Sequence, residues 1–208
     1  MDNLVLEPVR QARDFISRHY GIHHPGERLT DLDRKLSQIA QFLGYPQQLD
    51  LIKNLLAGQL PTTELQQMVE ALTVGETYFF RERAHLNALE DVVIPALVQK
   101  KKQQGGIKKI ALWSAACATG EEAYTLAIEL AEAFGESAWE IIGTDISHRV
   151  LVAAKQGVYP VDRLRHVDED RLRRFCLKGE GPAEGQVMVN RKVRDKVTFG
   201  QLNLCKPF

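Results

Sequence analysis

The chain has 208 residues, with 27 Lys plus Arg against 27 Asp plus Glu, so no global field draws it toward nucleic acid or anionic lipid. Apolar residues make up 44% and charged residues 26%, the profile of a folded protein rather than a disordered one. No run of about 18 apolar residues occurs, which excludes a helical membrane span on sequence grounds, and Met1-Asp2-Asn3-Leu4 lacks the basic flank and apolar stretch of a secretory signal. Cys117, Cys176 and Cys205 are odd in number and far apart, which points to reduced thiols in the cytoplasm and away from a disulfide framework or a metal site. Charge is nevertheless uneven. Residues 1–72 are acidic by about two and 73–110 basic by about three, while 111–160 are acidic by about five and 161–208 basic by about four.

The first seventy residues read as helices alone. Phe15, Ile16, His19 and Tyr20 close a segment that Gly21 ends. Leu29, Leu32, Leu36, Ile39, Ala40 and Leu43 recur three and four apart, as on one helix face, up to Gly44 and Pro46. Leu49, Ile52, Leu55 and Leu56 form a third helix ended by Gly58, and a fourth follows Pro61, where Thr63 and Gln66 have capping-box spacing. After Thr73 the pattern changes. Tyr78-Phe79-Phe80 beside Arg81 reads as an interdomain apolar cluster, and a helix is expected from about Ala84 to Lys102, its basic end suiting the helix dipole.

Ile107 to Trp113 then reads as a buried strand, Ser114 to Gly120 as a tight small-residue loop, and Glu121 to Phe134 as a helix. Glu140 to Thr144 is a second strand, followed by Asp145 and a helix that Ser147 caps and Gly157 ends. This order predicts the opening of a doubly wound α/β sheet. A basic helical stretch around Leu172 to Phe175, a Gly-rich segment (Gly179 to Gly185), a small hairpin from Val187 to Val189 and a third sheet strand from Val197 to Leu202 complete the chain.

The chemistry-bearing residues gather at the ends of the predicted strands. Ser114 to Glu122 places small residues before a helix N-terminus, where backbone N–H groups approach a ligand. Two carboxylates, Glu121 and Glu122, already occupy the positive end of that helix, so a diphosphate would be repelled and an ammonium or sulfonium group favoured, or the segment is simply a glycine turn whose glutamates complement the helix dipole. The G-x-G-x-x-G fingerprint of a dinucleotide site is absent, which disfavours a nicotinamide-dependent oxidoreductase. Asp145 can accept from both hydroxyls of a ribose, or serve only as part of a helix start. Asn203 can bond an adenine edge beside Leu204, or simply stabilise a turn. Arg81 presents a planar fork suited to a carboxylate. No nucleophile-and-base pair is present, and His23-His24 are adjacent and point apart on any regular element.

Together Glu76-Thr77-Tyr78-Phe79-Phe80-Arg81, Trp113 through Glu122, Gly143-Thr144-Asp145-Ile146 and Asn203-Leu204 resemble the chemotaxis receptor glutamate methyltransferases, the CheR type. The resemblance implies a small all-α N-terminal docking domain (1–72), a linker and first catalytic-domain helix (73–106), and an α/β Rossmann-like methyltransferase domain with a small β hairpin insert (107–208). It implies S-adenosylmethionine as cofactor, with S-adenosylhomocysteine as product, and receptor glutamates as methyl acceptors, giving γ-methyl esters. It places Asp145 at the ribose, Asn203 and Leu204 on the adenine side, Ala115 and Glu121 at the methionine end, and Thr77 and Arg81 at the reacting centre. An acceptor carboxylate with a pKa near 4.3 is ionised at neutral pH, so the absence of a general base fits.

Some positions depart from the family. Val74-Gly75 and Ala123 stand where Thr-Asn and proline are common, and Asp31 and Asp33 dilute the basic docking face that the N-terminal helices often carry. The family's later strand with its Phe-Asp-Val-Ile-Phe-Cys-Arg-Asn-type motif is not in the sequence. The expectation is therefore a truncated sheet with weak or no activity and a homodimer paired along the open edge of the first strand. The alternative is a non-catalytic interaction or sensor module derived from such an enzyme.

Overall fold

The computed structural model describes residues 6–24, 29–73, 75, 77–103, 109–135 and 139–207. The chain divides into two compact units, Met1–Val74 with Leu202–Phe208, and Gly75–Gln201. Among the described residues no helix is long and apolar enough to cross a membrane.

Among its described residues the first unit holds four helices, α1 (Glu7–Tyr20), α2 (Leu29–Phe42), α3 (Gln48–Leu56) and α4 (Thr62–Leu72). Each turns an apolar stripe inward: Val9, Ala12 and Ile16; Leu32, Leu36 and Ile39; Leu51, Ile52 and Leu55; Met68, Val69 and Leu72. Burying one such Leu or Ile contributes about 1.5–3 kcal/mol, which is what short helices need to persist. Gly21 ends α1 at φ 67°, its N–H donating to the Ser17 carbonyl. Two details differ from the sequence reading. On α3 the inward face is Leu51, Ile52 and Leu55, leaving Leu49 and Leu56 exposed. The capping box is not formed either: α4 begins at Thr62, so Thr63 lies inside the helix, and Pro61 at the N-cap has no side-chain acceptor.

The second unit begins with α5 (Arg83–Ala88), a π-turn (Leu89–Val93) and α6 (Ile94–Gln103), where one uninterrupted helix was expected. Pro95 explains the interruption. It has no N–H for the Asp91 carbonyl and its ring crowds that carbonyl, so the turn before it widens. The expected stop at Gly105-Gly106, and residues 107 and 108 of the first strand, lie outside the described residues.

A parallel sheet follows, with β1 (Ile110–Ala115), β2 (Trp139–Asp145) and β6 (Val197–Gln201) in the order β1-β2-β6. Ala115 pairs with Thr144, and Asp145 with Gln201, so the strand ends carrying the small-residue loop and the aspartate lie side by side. The connections are α7 (Glu121–Phe134) and α8 (His148–Gln156). Between α8 and β6 lies a second, antiparallel sheet in the order β3-β5-β4, made of β3 (Val158–Pro160), β4 (Cys176–Lys178) and β5 (Gln186–Val189). It carries a 3₁₀ turn (Val161–Leu164) and α9 (Glu169–Phe175), and α10 (Arg191–Arg194) leads into β6. The expected hairpin start, Val187 to Val189, thus lies in the central strand of a three-stranded insert.

The core joins Tyr124, Ile128 and Leu130 of α7 to Ile141 and Phe199 of the sheet. Phe79 and Phe80, expected between the domains, belong to this unit's own core. β1 is not buried on both faces as its apolar run suggested: Trp113 is 47% and Ile142 of β2 41% exposed, so the strands alternate.

A buried charge cluster ties α7 to α9 and the π-turn. Arg171 Nη2 lies 3.1 Å from Glu129 Oε1, 2.7 Å from Glu132 Oε2 and 4.0 Å from Glu90 Oε1, while its Nε is 3.5 Å from Asp168 and Arg174 reaches Glu132 at 2.8 Å. Carboxylates outnumber cations even with Arg83, whose Nη2 lies 3.3 Å from Glu90 Oε1. Burial pushes the Glu129 carboxyl up to about 7, opposed by Arg171 and reinforced by the hydrogen bond and charge of Glu90 and the charge of Glu132. The native state therefore holds this proton more tightly than the unfolded chain between about pH 4.5 and 7, and stability falls as pH rises through that window. Glu129→Gln keeps the shape without the charge. Compared by urea unfolding at pH 5 and pH 8, it should gain on the order of 2 kcal/mol over the unmutated chain at the higher pH only.

Candidate functional site

The β1–α7 loop is held in a conformation that ordinary residues resist. Ala116 and Ala118 sit at φ 58° and 47°, and Gly120, the α7 N-cap, at φ 93°. A left-handed alanine costs on the order of 1 kcal/mol, so something must hold the loop in place. Asp145 does so. Its Oδ2 accepts the Ala118 N–H at 2.9 Å and its Oδ1 accepts the Ser147 N–H at 2.9 Å. Cys117 N–H donates to the Thr144 carbonyl at 2.9 Å, and the Tyr159 hydroxyl donates to the Thr119 carbonyl at 2.7 Å. With one backbone donor on each oxygen, Asp145 keeps lone pairs for two further donors.

The two glutamates at the head of α7 separate in role. Glu122 is exposed and accepts the Ser114 hydroxyl at 2.6 Å, tying the end of β1 to α7. Glu121 is only 1% exposed; its Oε2 accepts the Thr119 hydroxyl at 2.6 Å and its Oε1 lies 3.5 Å from Arg163 Nη1. Burial raises the Glu121 pKa, opposed by the Thr119 and backbone hydrogen bonds and by the Arg163 charge. Cys117 is no nucleophile: burial foremost, then the Asp145 charge, pushes its thiol up to about 12.

Thr77 and Arg81 lie on a segment bound to the same helix end. The Phe80 N–H donates to Thr125 Oγ1 at 3.1 Å, and that hydroxyl donates to the Glu121 carbonyl at 2.8 Å. The Phe79 N–H donates to the Arg163 carbonyl at 3.1 Å, and the Thr77 carbonyl accepts from Arg163 Nη1. Phe80 and Glu82, at φ 56° and 57°, bracket Arg81, whose exposed guanidinium lies 5.7 Å from the Tyr78 ring centre and 3.6 Å from Glu82. All four left-handed non-glycine residues among those described thus fall on the two segments that carry Arg81 and the small-residue loop.

Within Gly75–Gln201 the fold therefore brings Ala115, Glu121 and Asp145 around one loop and anchors Thr77 and Arg81 to it. Asn203 and Leu204 fall in the other unit, where Asn203 Nδ2 donates to the His19 carbonyl at 2.8 Å, its Oδ1 accepts the Cys205 N–H at 2.9 Å, and Leu204 is exposed. Sequence reasoning missed Ser114, Thr119, Thr125 and Arg163, which hold the acidic groups. The first two lie inside the motif already singled out; nothing local marks Thr125 or Arg163.

A helical module followed by a parallel α/β domain with a small antiparallel insert and acidic groups at the strand ends defines a methyltransferase-like architecture. The sequence profile described as CheR methyltransferase, SAM binding domain, matches residues 75–208, and the chain belongs to the CheR methyltransferase family. Chemotaxis protein methyltransferase 2 of Pseudomonas aeruginosa is 41% identical over 145 residues, 69% of this chain and 49% of the relative. The chemotaxis protein methyltransferase of Salmonella typhimurium is 34% identical over 155 residues (74% and 50%), and that of Borreliella burgdorferi 28% over 206 residues (97% and 71%). The chain spans about half the length of the first two.

Gly120 carries a structural test. A Cβ there would lie 2.9 Å from the Ala154 Cβ, 3.1 Å from Phe199 and 3.2 Å from the Tyr159 hydroxyl, on top of the left-handed φ. Gly120→Ala should cost about 1–3 kcal/mol in urea unfolding.

Proposed function

We propose that this chain binds S-adenosylmethionine beside the β1–α7 loop and serves methyl transfer to glutamate side chains of chemoreceptor-like signalling proteins in the cytoplasm. The observation that carries the reading is the convergence of Glu121 and Asp145 on that loop, an acceptor set that suits a cationic nucleoside and not a diphosphate. When bound, the cofactor supplies an electrophilic methyl group on a sulfonium. Asp145 holds the ribose through the lone pairs left after Ala118 and Ser147, each charge-assisted bond contributing about 1.5–3 kcal/mol. Glu121 and Ala115 receive the methionine end, where an ammonium offsets the burial of the Glu121 carboxylate. Asn203 and Leu204 are assigned the adenine side on the resemblance alone.

Arg81 orients the acceptor carboxylate through its planar fork, and Thr77 lines the same segment. Such a carboxylate is already ionised near neutral pH, so the site needs to align it rather than deprotonate it. Titration calorimetry with S-adenosylhomocysteine should give saturable heat at one site per chain, with Asp145→Asn weakening it about tenfold or more. No heat with the unmutated chain, or heat with a nicotinamide dinucleotide instead, overturns the reading. Transferred label on a receptor cytoplasmic domain should be released by mild base, as a methyl ester requires.

The outer edge of β1 pairs with no strand among the described residues. Pairing of two copies along it remains our proposed assembly. Light scattering at micromolar concentration should report twice the 23.5 kDa chain mass, and a monomer removes the proposal.

A further inference from the structure

Thr77, Arg81 and Glu121 come from two segments far apart in sequence, and we infer that Arg163, on the turn that opens the antiparallel insert, is the positioning residue that sets one against the other. The inference rests on the proposed cofactor reading for its consequences, but not for its geometry. Arg163 grips the Thr77–Phe79 segment twice, its carbonyl accepting the Phe79 N–H at 3.1 Å and its Nη1 donating to the Thr77 carbonyl. The same Nη1 stands 3.5 Å from Glu121 Oε1. One guanidinium nitrogen thus bridges the backbone beside Arg81 and the buried carboxylate at the head of α7. The neighbours of Arg163 extend the grip: the Arg165 guanidinium lies 4.9 Å over the Tyr78 ring, and the His166 ring centre is 5.1 Å from it.

The electrostatics give this bridge a consequence beyond packing. Glu121 loses its water on folding and keeps one hydroxyl, Thr119, and one cation, Arg163, as side-chain partners among the described residues. The other titratable groups that feel its charge, Cys117 and Tyr159, are neutral at physiological pH because burial raises both. Arg163 therefore adds a cation to the Thr119 and backbone hydrogen bonds that oppose the burial-raised pKa of Glu121, while fixing the carbonyl of Thr77. At 38% exposure the guanidinium is partly hydrated, so the ion pair alone is a modest contribution; what it adds is shared placement of two segments by one side chain.

The test uses the full chain with Arg163→Gln and Arg163→Lys. Glutamine keeps a donor for the Thr77 carbonyl without the charge, lysine keeps the charge without the fork, and the backbone bond to Phe79 survives in both. Two readouts are followed: the pH titration of the Glu121 side-chain carboxyl by ¹³C NMR, and S-adenosylhomocysteine affinity by calorimetry from pH 5 to 8. In Arg163→Gln the Glu121 midpoint should move upward, affinity at pH 7 should fall about tenfold, and the acid limb of the affinity profile should move to higher pH. Arg163→Lys should restore the midpoint. A Glu121 midpoint that does not respond to Arg163→Gln overturns the inference. A midpoint that responds in a chain giving no heat with S-adenosylhomocysteine leaves the positioning role standing and removes the cofactor reading instead.

Discussion

Asp145 closes β2 with a carboxylate whose two oxygens take backbone N–H groups from different places, Ala118 in the β1–α7 loop and Ser147 at the start of α8. Those bonds join the ends of two strands to the starts of two helices at one point. The left-handed alanines on either side of Cys117 persist because this anchor, together with the Thr144 and Thr119 carbonyl contacts, over-determines the loop. With the loop fixed, Gly120 can open α7 among Ala154, Phe199 and the Tyr159 hydroxyl, and Glu121 is forced inward on the first turn. The inward placement of Glu121 thus follows from the loop that Asp145 anchors.

A carboxylate buried at a helix N-terminus is easier to accommodate than one elsewhere, since the dipole offers partial positive charge there. The dipole does not fully compensate here, and burial still raises Glu121. In the proposed reading, a cation placed against Glu121 would gain from the desolvation already suffered in folding. The Glu90–Glu129 pair shows the same physics. With carboxylates in excess over Arg171, burial there pushes the Glu129 carboxyl up to about 7.

Periodicity made much of the fold legible. The stripes of α2 and α4, the strand-loop-helix-strand order around Ser114 to Asp145, and the Ser147 and Gly157 ends of α8 all follow from residue spacing and cap chemistry. The misses have physical reasons. Pro95 widened a helix that the apolar pattern ran straight through, because pattern records faces and not the missing N–H. The continuous apolar run of β1 looked buried on both sides, yet alternation leaves Trp113 half-exposed with its indole N–H donating to Thr144 Oγ1 at 2.9 Å. The three-stranded insert escaped because its strands are three or four residues long and pair across a long connection.

The acidic groups of the candidate site were legible in the sequence, and the residues that hold them were not. Glu121 and Asp145 announce themselves by charge at the end of an apolar strand or the head of a helix. Arg163 does not, because one more arginine in a basic stretch carries no local signal; its meaning arises only when the insert folds back and the chain near Thr77 meets α7. The same holds for Thr125, an unremarked helical threonine whose hydroxyl links the Phe80 N–H to the Glu121 carbonyl. Residues that touch a ligand are selected for chemistry that shows in their identity. Residues that place them are selected for a position in space, and only the assembled insert, helix and linker segment disclose it. That asymmetry is why the antiparallel insert belongs to the functional description of the domain: the turn at its opening bears on the aromatic segment and the head of α7 together, so a change in the insert is felt where Glu121 and Thr77 meet.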